Sequence, residues 1–367
     1  MFTSKFRYIT LIIGSLFFAI PAAISQTPTP KPNPDDEVIK VESRLVVVPV
    51  SVTDADGQAV KGLTEKDFRI LEEGRKQVID HVGNAETVPL EIALLFDVSA
   101  STDRMFRFQQ ETAAAFLRDV MGPKDRASVF TIGEHGALVQ SRDTAEKAMA
   151  SIRAIKPTRE ATAFYDSIQL AADHLKKNSP QGVRRVMVII SDGEDTNSAG
   201  VSKAILNAEL KLTGTVEGEK LRDLRVNARE GAKLVEQAKI LKALQDADTV
   251  FYSINPGGSS YHLNKMSVFG QENMQRFADA TGGTAFLPKF LQVEGGDTSQ
   301  MDSNVRKNQT MLELIFRQLA NELRAQYLVE YYSDAKFPMG RFVKLDVALE
   351  NAGTRHLRAR QGYYVKN

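Results

Sequence analysis

Cysteine is missing from all 367 residues of this chain. That absence excludes disulfides, thiolate zinc sites, a cysteine nucleophile and lipid attachment through a thiol. Histidine is scarce at 5 copies, so a catalytic metal centre built from several imidazoles is poorly supplied. A surplus of one charge is also lacking. The 47 Lys and Arg stand against 46 Asp and Glu, a formal +1, whereas nucleic-acid binders carry a basic excess, so nucleic acid is not an expected partner. What remains, 43% hydrophobic and 25% charged residues, is ordinary for globular protein and sufficient for roughly two domains.

The first segment reads as an address. Lys5 and Arg7 precede an uncharged apolar run over 8–20, and small residues follow at Ala23 and Ser25. This is the pattern of a secretory signal peptide over 1–25, cut after Ser25. The run falls short of the roughly 20 residues that span a bilayer, which favours cleavage over anchoring and leaves no transmembrane segment. Cleavage removes two positive charges and leaves a net −1. The mature chain is expected to be secreted or periplasmic, and core burial, with or without a metal, has to replace the disulfides it lacks. Residues 26–37 carry four prolines and almost nothing apolar, the composition of an extended linker.

Residues 38–86 read as short strands with tight turns, and 326–367 have the same texture. The two ends are therefore expected to pair into one small β-sandwich-like domain, with 87–325 inserted between them. In that middle part, apolar runs at 91–96, 126–132, 185–190 and 249–254 alternate with helical periodicity at 105–120, 144–155, 163–177, 271–280 and 311–325. Strands apolar on both faces and separated by helices predict an α/β fold, a doubly wound and mostly parallel sheet flanked by helices. Residues 202–246 exceed a normal crossover; they read as two charged helices broken at 213–214 and projecting from the sheet body. Residues 295–308 read as a polar loop.

In an open α/β sheet, function gathers at the carboxyl ends of the strands. Here the first buried strand is followed by Asp97-x-Ser99-x-Ser101, the later one by Ser191-Asp192-Gly193, and Thr162 heads the helix between them. All are short oxygen-bearing side chains. Such donors suit Mg²⁺, Mn²⁺ or Ca²⁺ and disfavour zinc or copper. Alternate residues of a loop leaving a strand can turn to one side, so Asp97, Ser99 and Ser101 can converge. Two carboxylates balance a divalent charge, while neutral hydroxyls leave the ion electrophilic, with a position that an incoming carboxylate fills.

This ordered set resembles the metal-ion-dependent adhesion site of von Willebrand factor A-type domains, and 161–166 resembles that family's threonine segment, with Glu160-Ala161 where a Gly pair is common. The arrangement around it, with 47–53 and 63–68 before and 322–327 and 360–364 after, resembles bacterial secreted proteins with a VWFA-related domain. The resemblance implies direct metal contacts from Ser99 and Ser101, a direct or water-mediated one from Thr162, and largely water-mediated ones from Asp97 and Asp192. It implies a Mg²⁺-type cation and a secreted, non-enzymatic binding protein whose protein partner supplies a carboxylate, for adhesion or complex assembly. A metal-dependent hydrolase and a structural envelope scaffold are the alternatives.

The remaining motifs carry less. Asp54-x-Asp56-Gly57 with Glu65 fails as a calcium loop, since Gln58 stands at a ligand position and the glycine falls early, so a hairpin turn is expected. Asp103, Glu194 and Asp195 add negative charge near the proposed metal. His135 and His262 lie on polar loops, and no G-x-S-x-G elbow accompanies the serines. Asn308-Gln-Thr310 matches a glycosylation sequon. Tyr331, Tyr332, Tyr363 and Tyr364 are expected in the core and rim of the β-domain.

Overall fold

The computed structural model describes residues 43–99, 103–158, 160–212, 218–256, 265–291 and 298–366, all of them within one unit that begins at Ser43. The leader, the proline-rich linker, Ser101, the break at 213–214 and His262 lie outside the described residues.

Strand alternation in Arg44–Thr53 (β1) places Val46, Val48, Val50 and Val52 on one buried face. Phe68–Glu72 (β2), Arg75–Lys76 (β3) and Ile79–Asn84 (β4) follow. The middle of the chain runs Leu90–Asp97 (β5), Asp103–Val120 (α1), Arg126–Ile132 (β6), Ala137–Asp143 (β7), Ala145–Ala154 (α2), Phe164–Asn178 (α3) and Arg184–Ile190 (β8). It continues through Ala199–Glu209 (α4), Gly218–Asp246 (α5), Thr249–Ile254 (β9), Lys265–Thr281 (α6), Ala285–Phe286 (β10) and Thr298–Arg324 (α7). Gln326–Ser333 (β11), Phe342–Leu349 (β12), His356–Ala359 (β13) and Gly362–Tyr364 (β14) close it.

The central sheet has the order β10-β9-β8-β5-β6-β7. All its pairs are parallel except β6–β7. Every residue of β5 is buried because the strand has helices on both sides. Ile92, Leu94 and Phe96 meet the side formed by α1, α2 and α7, where Phe116 and Phe316 pack together. Ala93 and Leu95 meet the other side, with Phe164 and Ile168 of α3, Ile240 and Leu244 of α5 and Phe277 of α6. The chain steps from β5 outward to β6, then returns to the far side of β5 as β8. The strand order therefore reverses between β5 and β8, and the crevice of a doubly wound sheet opens there.

Strands from the two chain ends interleave in two further sheets, β13-β1-β11-β4 and β14-β12-β2-β3. Val46, Val48 and Val50 stand opposite Tyr331, Val329 and Tyr327. Glu72 is buried in the core of these layers. It accepts bonds from the Tyr331 and Tyr363 hydroxyls at 2.8 and 2.7 Å on one oxygen and from Ser333 Oγ at 2.7 Å on the other. Tyr332 lies on the exposed rim.

Three sequence expectations change. Residues 298–308 are not a loop; they extend α7 by about three turns at its start. Their polarity concealed the helix, whose apolar stripe begins only at Leu312. Asn308, within the sequon, is 2% exposed, and its amide is paired with both main-chain groups of Leu291 at 2.8 Å. The 202–246 segment forms two helices, but the second does not simply project. Its carboxyl-terminal half covers the sheet through Ile240 and Leu244. Edge strand β7 is mostly exposed, and its apolar residues are confined to 137–139, too short a run to mark a strand, so it is an addition to the expected elements. Asp54 forms the turn foreseen, with its Oδ1 accepting from the backbone N–H of Asp56 and Gln58 at 3.0 and 2.8 Å.

Candidate metal centre

Asp97 is the last residue of β5 and is buried. Because Phe96 pairs with Ile190 on neighbouring β8, Ser191 emerges beside it. Ser191 Oγ donates to Asp97 Oδ2 at 2.6 Å. The other carboxylate oxygen accepts from Ser99 twice, from its backbone N–H at 2.9 Å and its Oγ at 2.6 Å. These bonds fix the turn leaving β5. Since Ser99 Oγ gives its proton to Asp97, its lone pairs are left for another partner.

Two loops complete the cluster. The 155–163 loop is tied to the exit of β5 by Thr158 N–H donating to Val98 O at 2.8 Å. At its far end, Thr162 N–H donates to Thr196 Oγ1 at 2.8 Å, and Thr162 O accepts from Thr196 and Asn197 N–H at 2.9 and 3.0 Å. Thr162 is thereby stitched both to the Asp97 turn and to the loop that follows Asp192. Its own hydroxyl has no hydrogen-bond partner among the described residues. Asp192 Oδ1 accepts from Glu194 N–H at 2.9 Å. Asp97, Ser99, Thr162 and Asp192 thus collect at the carboxyl ends of β5 and β8. Ser101 lies outside the described residues.

The electrostatics are those of anions held without a counter-charge. Burial pushes the Asp97 carboxyl above its ordinary value against the pull of the Ser191 and Ser99 bonds, and Glu194 adds to the rise. Burial also pushes Asp192 up to about 6, with the Asp97 and Glu194 charges contributing. Among the described residues neither carboxylate has an ion pair. No three of His, Cys, Asp or Glu come together there either, so the donors are two carboxylates plus hydroxyls. That set fits a hard, oxygen-seeking divalent cation.

Several neighbours are otherwise engaged. Asp195 is buried and bonds to Ser198 N–H at 3.1 Å, to Ser198 Oγ and to Tyr165 N–H at 3.2 Å, locking the starts of α3 and α4. Glu194 accepts from Ser267 Oγ. His135 is exposed. A Ser–His contact does exist, Ser128 Oγ to His174 Nε2 at 3.0 Å, but Ser128 is buried within β6 beneath α3.

Two residues of the site had little sequence signal. Ser191 precedes Asp192-Gly193 in the motif, yet only the pairing of β8 with β5 reveals it as the clamp on Asp97. Gly270, inside α6, touches the Asp192 turn. A Cβ there would lie 2.6 Å from Gly193 C and 2.9 Å from Asp192 O, and Gly193 itself has φ +78°. A glycine in a helix interior was the available clue.

Residues 92–194, which contain Asp97, Thr162 and Asp192, match the sequence profile of the von Willebrand factor type A domain. The chain carries an A-type domain. A-type domains are generally non-catalytic interaction modules, and the match supports a protein-interaction role of that kind here. No curated protein is significantly similar to the chain. Several solved structures are distantly similar to the chain. An aerotolerance-related membrane protein from Bacteroides fragilis is 12% identical over 60% of this chain and 99% of its own, with a TM-score of 0.32. BatB from Bacteroides thetaiotaomicron is 14% identical over 61% and 98%, with 0.31. The PilB minor pilin from Streptococcus sanguinis is 12% identical over 65% and 63%, with 0.38. Among the described residues no helix is long and apolar enough to cross a membrane.

Proposed function

We propose that this chain is a binding protein acting outside the cytoplasm, in which a divalent cation, Mg²⁺ foremost, joins the A-type domain to a carboxylate on a protein partner. Ser99 and Ser101 would hold the ion directly, Thr162 directly or through water, and Asp97 and Asp192 largely through water. When bound, the cation supplies an electrophilic position for an incoming carboxylate. The chain's own residues do the rest. Ser191 and Ser99 orient Asp97, and the Thr196 and Asn197 bonds hold Thr162 in place. The reading is carried by one observation, the convergence of two desolvated and unpaired carboxylates with hydroxyls that keep free acceptor capacity. The leader and linker read from the sequence supply the extracytoplasmic setting.

Capture of partners from the native envelope fraction with Mg²⁺ and with EDTA tests the proposal. Recovery is expected only with Mg²⁺, and Asp97→Ala should lose it. Thr162→Val is the matched control for folding: it keeps the shape of this buried side chain and removes only a hydroxyl that supports nothing else among the described residues, so stability should stay within about 1 kcal/mol while cation affinity falls. Equal recovery in both buffers would remove the metal from the mechanism.

A further inference from the structure

α5 is longer than the sheet it covers. It leads into the amino end of β9, which runs parallel to β8, so its own amino end lies at the end of the sheet that carries the Asp97 cluster. Its 29 residues extend about 43 Å, whereas the 6 residues of β9 extend about 20 Å. Counted back from Asp246, the length of the sheet is used up near Lys233. Residues 218–232 therefore stand beyond the strands, beside the loop that carries Asp192. α4 starts directly after that loop and packs along this overhang, where Arg225 Nε pairs with Glu209 Oε1.

One face of α5 runs the whole way. Leu244 and Ile240 are buried against the sheet. At helical spacing before them come Gln237, bonded through Nε2 to Asn273 of α6, and Lys233, whose Nζ lies 5.4 Å from the centre of the Phe269 ring. The same face continues through Arg229 and Val226 to Arg222, with no strand beneath it. Arg222 is exposed and Val226 is 40% exposed, while Arg229 is already engaged. Lys233 is 4% exposed, yet it has neither a hydrogen bond nor an ion pair among the described residues. Burial pushes its amine below the ordinary value, with the Asp195 and Glu194 charges pulling the other way. Those two carboxylates are taken up by Ser198, Tyr165 and Ser267. A buried ammonium is costly when unpaired. Arg222 has no ion pair among the described residues either. The neighbouring acids Asp223 and Glu230 lie about 100° round the helix from Arg222 and Arg229. Glu219 stands in the first turn, where the helix dipole favours an acid.

We propose that this stripe is a second contact surface for the protein partner, in which Arg222, Val226 and the charge of Lys233 receive an acidic stretch flanking the carboxylate that reaches the ion. The inference rests on the cation-bridged reading above and specifies its partner as acidic over more than one residue. The charge balance favours that choice. A divalent ion is matched by Asp97 and Asp192 alone, and Glu194 and Asp195 add further negative charge to the same loops. One partner carboxylate has the ion to meet, but its acidic neighbours need a positive surface close by, and the overhang of α5 supplies one beside the centre.

Fluorescence anisotropy with the full chain, in Mg²⁺ at low ionic strength, provides the test. The probes are a labelled peptide of alternating Asp and Ser and a Gly-Ser peptide of the same length bearing a single Asp. The Asp-rich peptide should bind more tightly. Arg222→Glu should weaken its binding about fivefold or more, with Arg222→Gln falling between. Both variants should fold, because Arg222 is exposed and makes no bond among the described residues. Lys177→Glu makes the same change of net charge at the exposed far end of α3, near the amino ends of the strands, and should leave the affinity unchanged. No binding or no preference for the Asp-rich peptide, equal affinity in Arg222→Glu, or an equal loss in Lys177→Glu would overturn the assignment. Repetition in EDTA separates the two readings. Binding that survives EDTA and still falls with Arg222→Glu would overturn the cation bridge and keep the stripe.

Discussion

Two glycines in neighbouring helices should respond oppositely to the same substitution. Gly270 in α6 packs on the turn that carries Asp192: an added methyl would lie 2.6 Å from Gly193 C, 2.7 Å from its O and 2.9 Å from Asp192 O. These are backbone atoms, and Gly193 at φ +78° has little room to move. Overpacking of this kind costs about 1–3 kcal/mol. Three backbone contacts below 3.0 Å put Gly270→Ala near the upper end, offset by about 1 kcal/mol of helix propensity. The expected net loss is about 2 kcal/mol. Gly231 in α5 has nothing within 4 Å of its hypothetical Cβ, so Gly231→Ala should stabilise by about 0.5–1 kcal/mol. Urea unfolding midpoints of the two variants against the parent measure both signs, and cation binding to Gly270→Ala should weaken because the Asp192 turn is pushed aside. If Gly270→Ala is as stable as the parent, the α6 contact does not constrain the site and the reasoning fails.

Three further outcomes follow from other parts of the molecule. Glu72→Ala leaves three hydroxyls without their acceptor in the core of the β-layers and should cost about 3–5 kcal/mol in denaturant unfolding. Glu72→Gln keeps an oxygen for the two tyrosines and an N–H for Ser333, and should cost only about 1 kcal/mol; equal losses would contradict the bonding described. Burial holds the His174 imidazole below its ordinary 6.5. The fold thus favours the neutral ring, its contribution is complete above 6.5, and stability is lost as pH falls through the lowered value. An NMR titration midpoint at or above 6.5 would refute this, and His174→Gln should flatten the loss of stability on the acid side. Finally, Asn308→Ala should destabilise by about 1–3 kcal/mol, because Leu291 loses partners for both its N–H and C=O; an unfolding midpoint unchanged from the parent would show that the α7 start is not held there.

How far the sequence reaches can be judged residue by residue. The unbroken apolar runs behind β5, β8 and β9 announce strands covered on both faces, because no other environment accepts an apolar side chain at every position of a strand. Asp97, Thr162 and Asp192 were legible for a related reason: each follows or heads such an element, where a doubly wound sheet presents its loops. The periodicity of α1, α2 and α3 gave their bounds to within a few residues. Polar helix starts and exposed edge strands have no such signature, which is why 298–308 and β7 escaped.

By itself, then, the chain determined its layers and the oxygen-rich loops at their ends, since burial periodicity and residue chemistry are local properties. Only the tertiary structure decided what those groups touch. Ser191 became the clamp on Asp97 through strand pairing across 94 residues of separation, and Gly270 became the floor of the Asp192 turn through helix packing. Hydrogen bonding and close contact are set by distance in space, and the interleaving of the two chain ends fixes those distances where sequence order cannot.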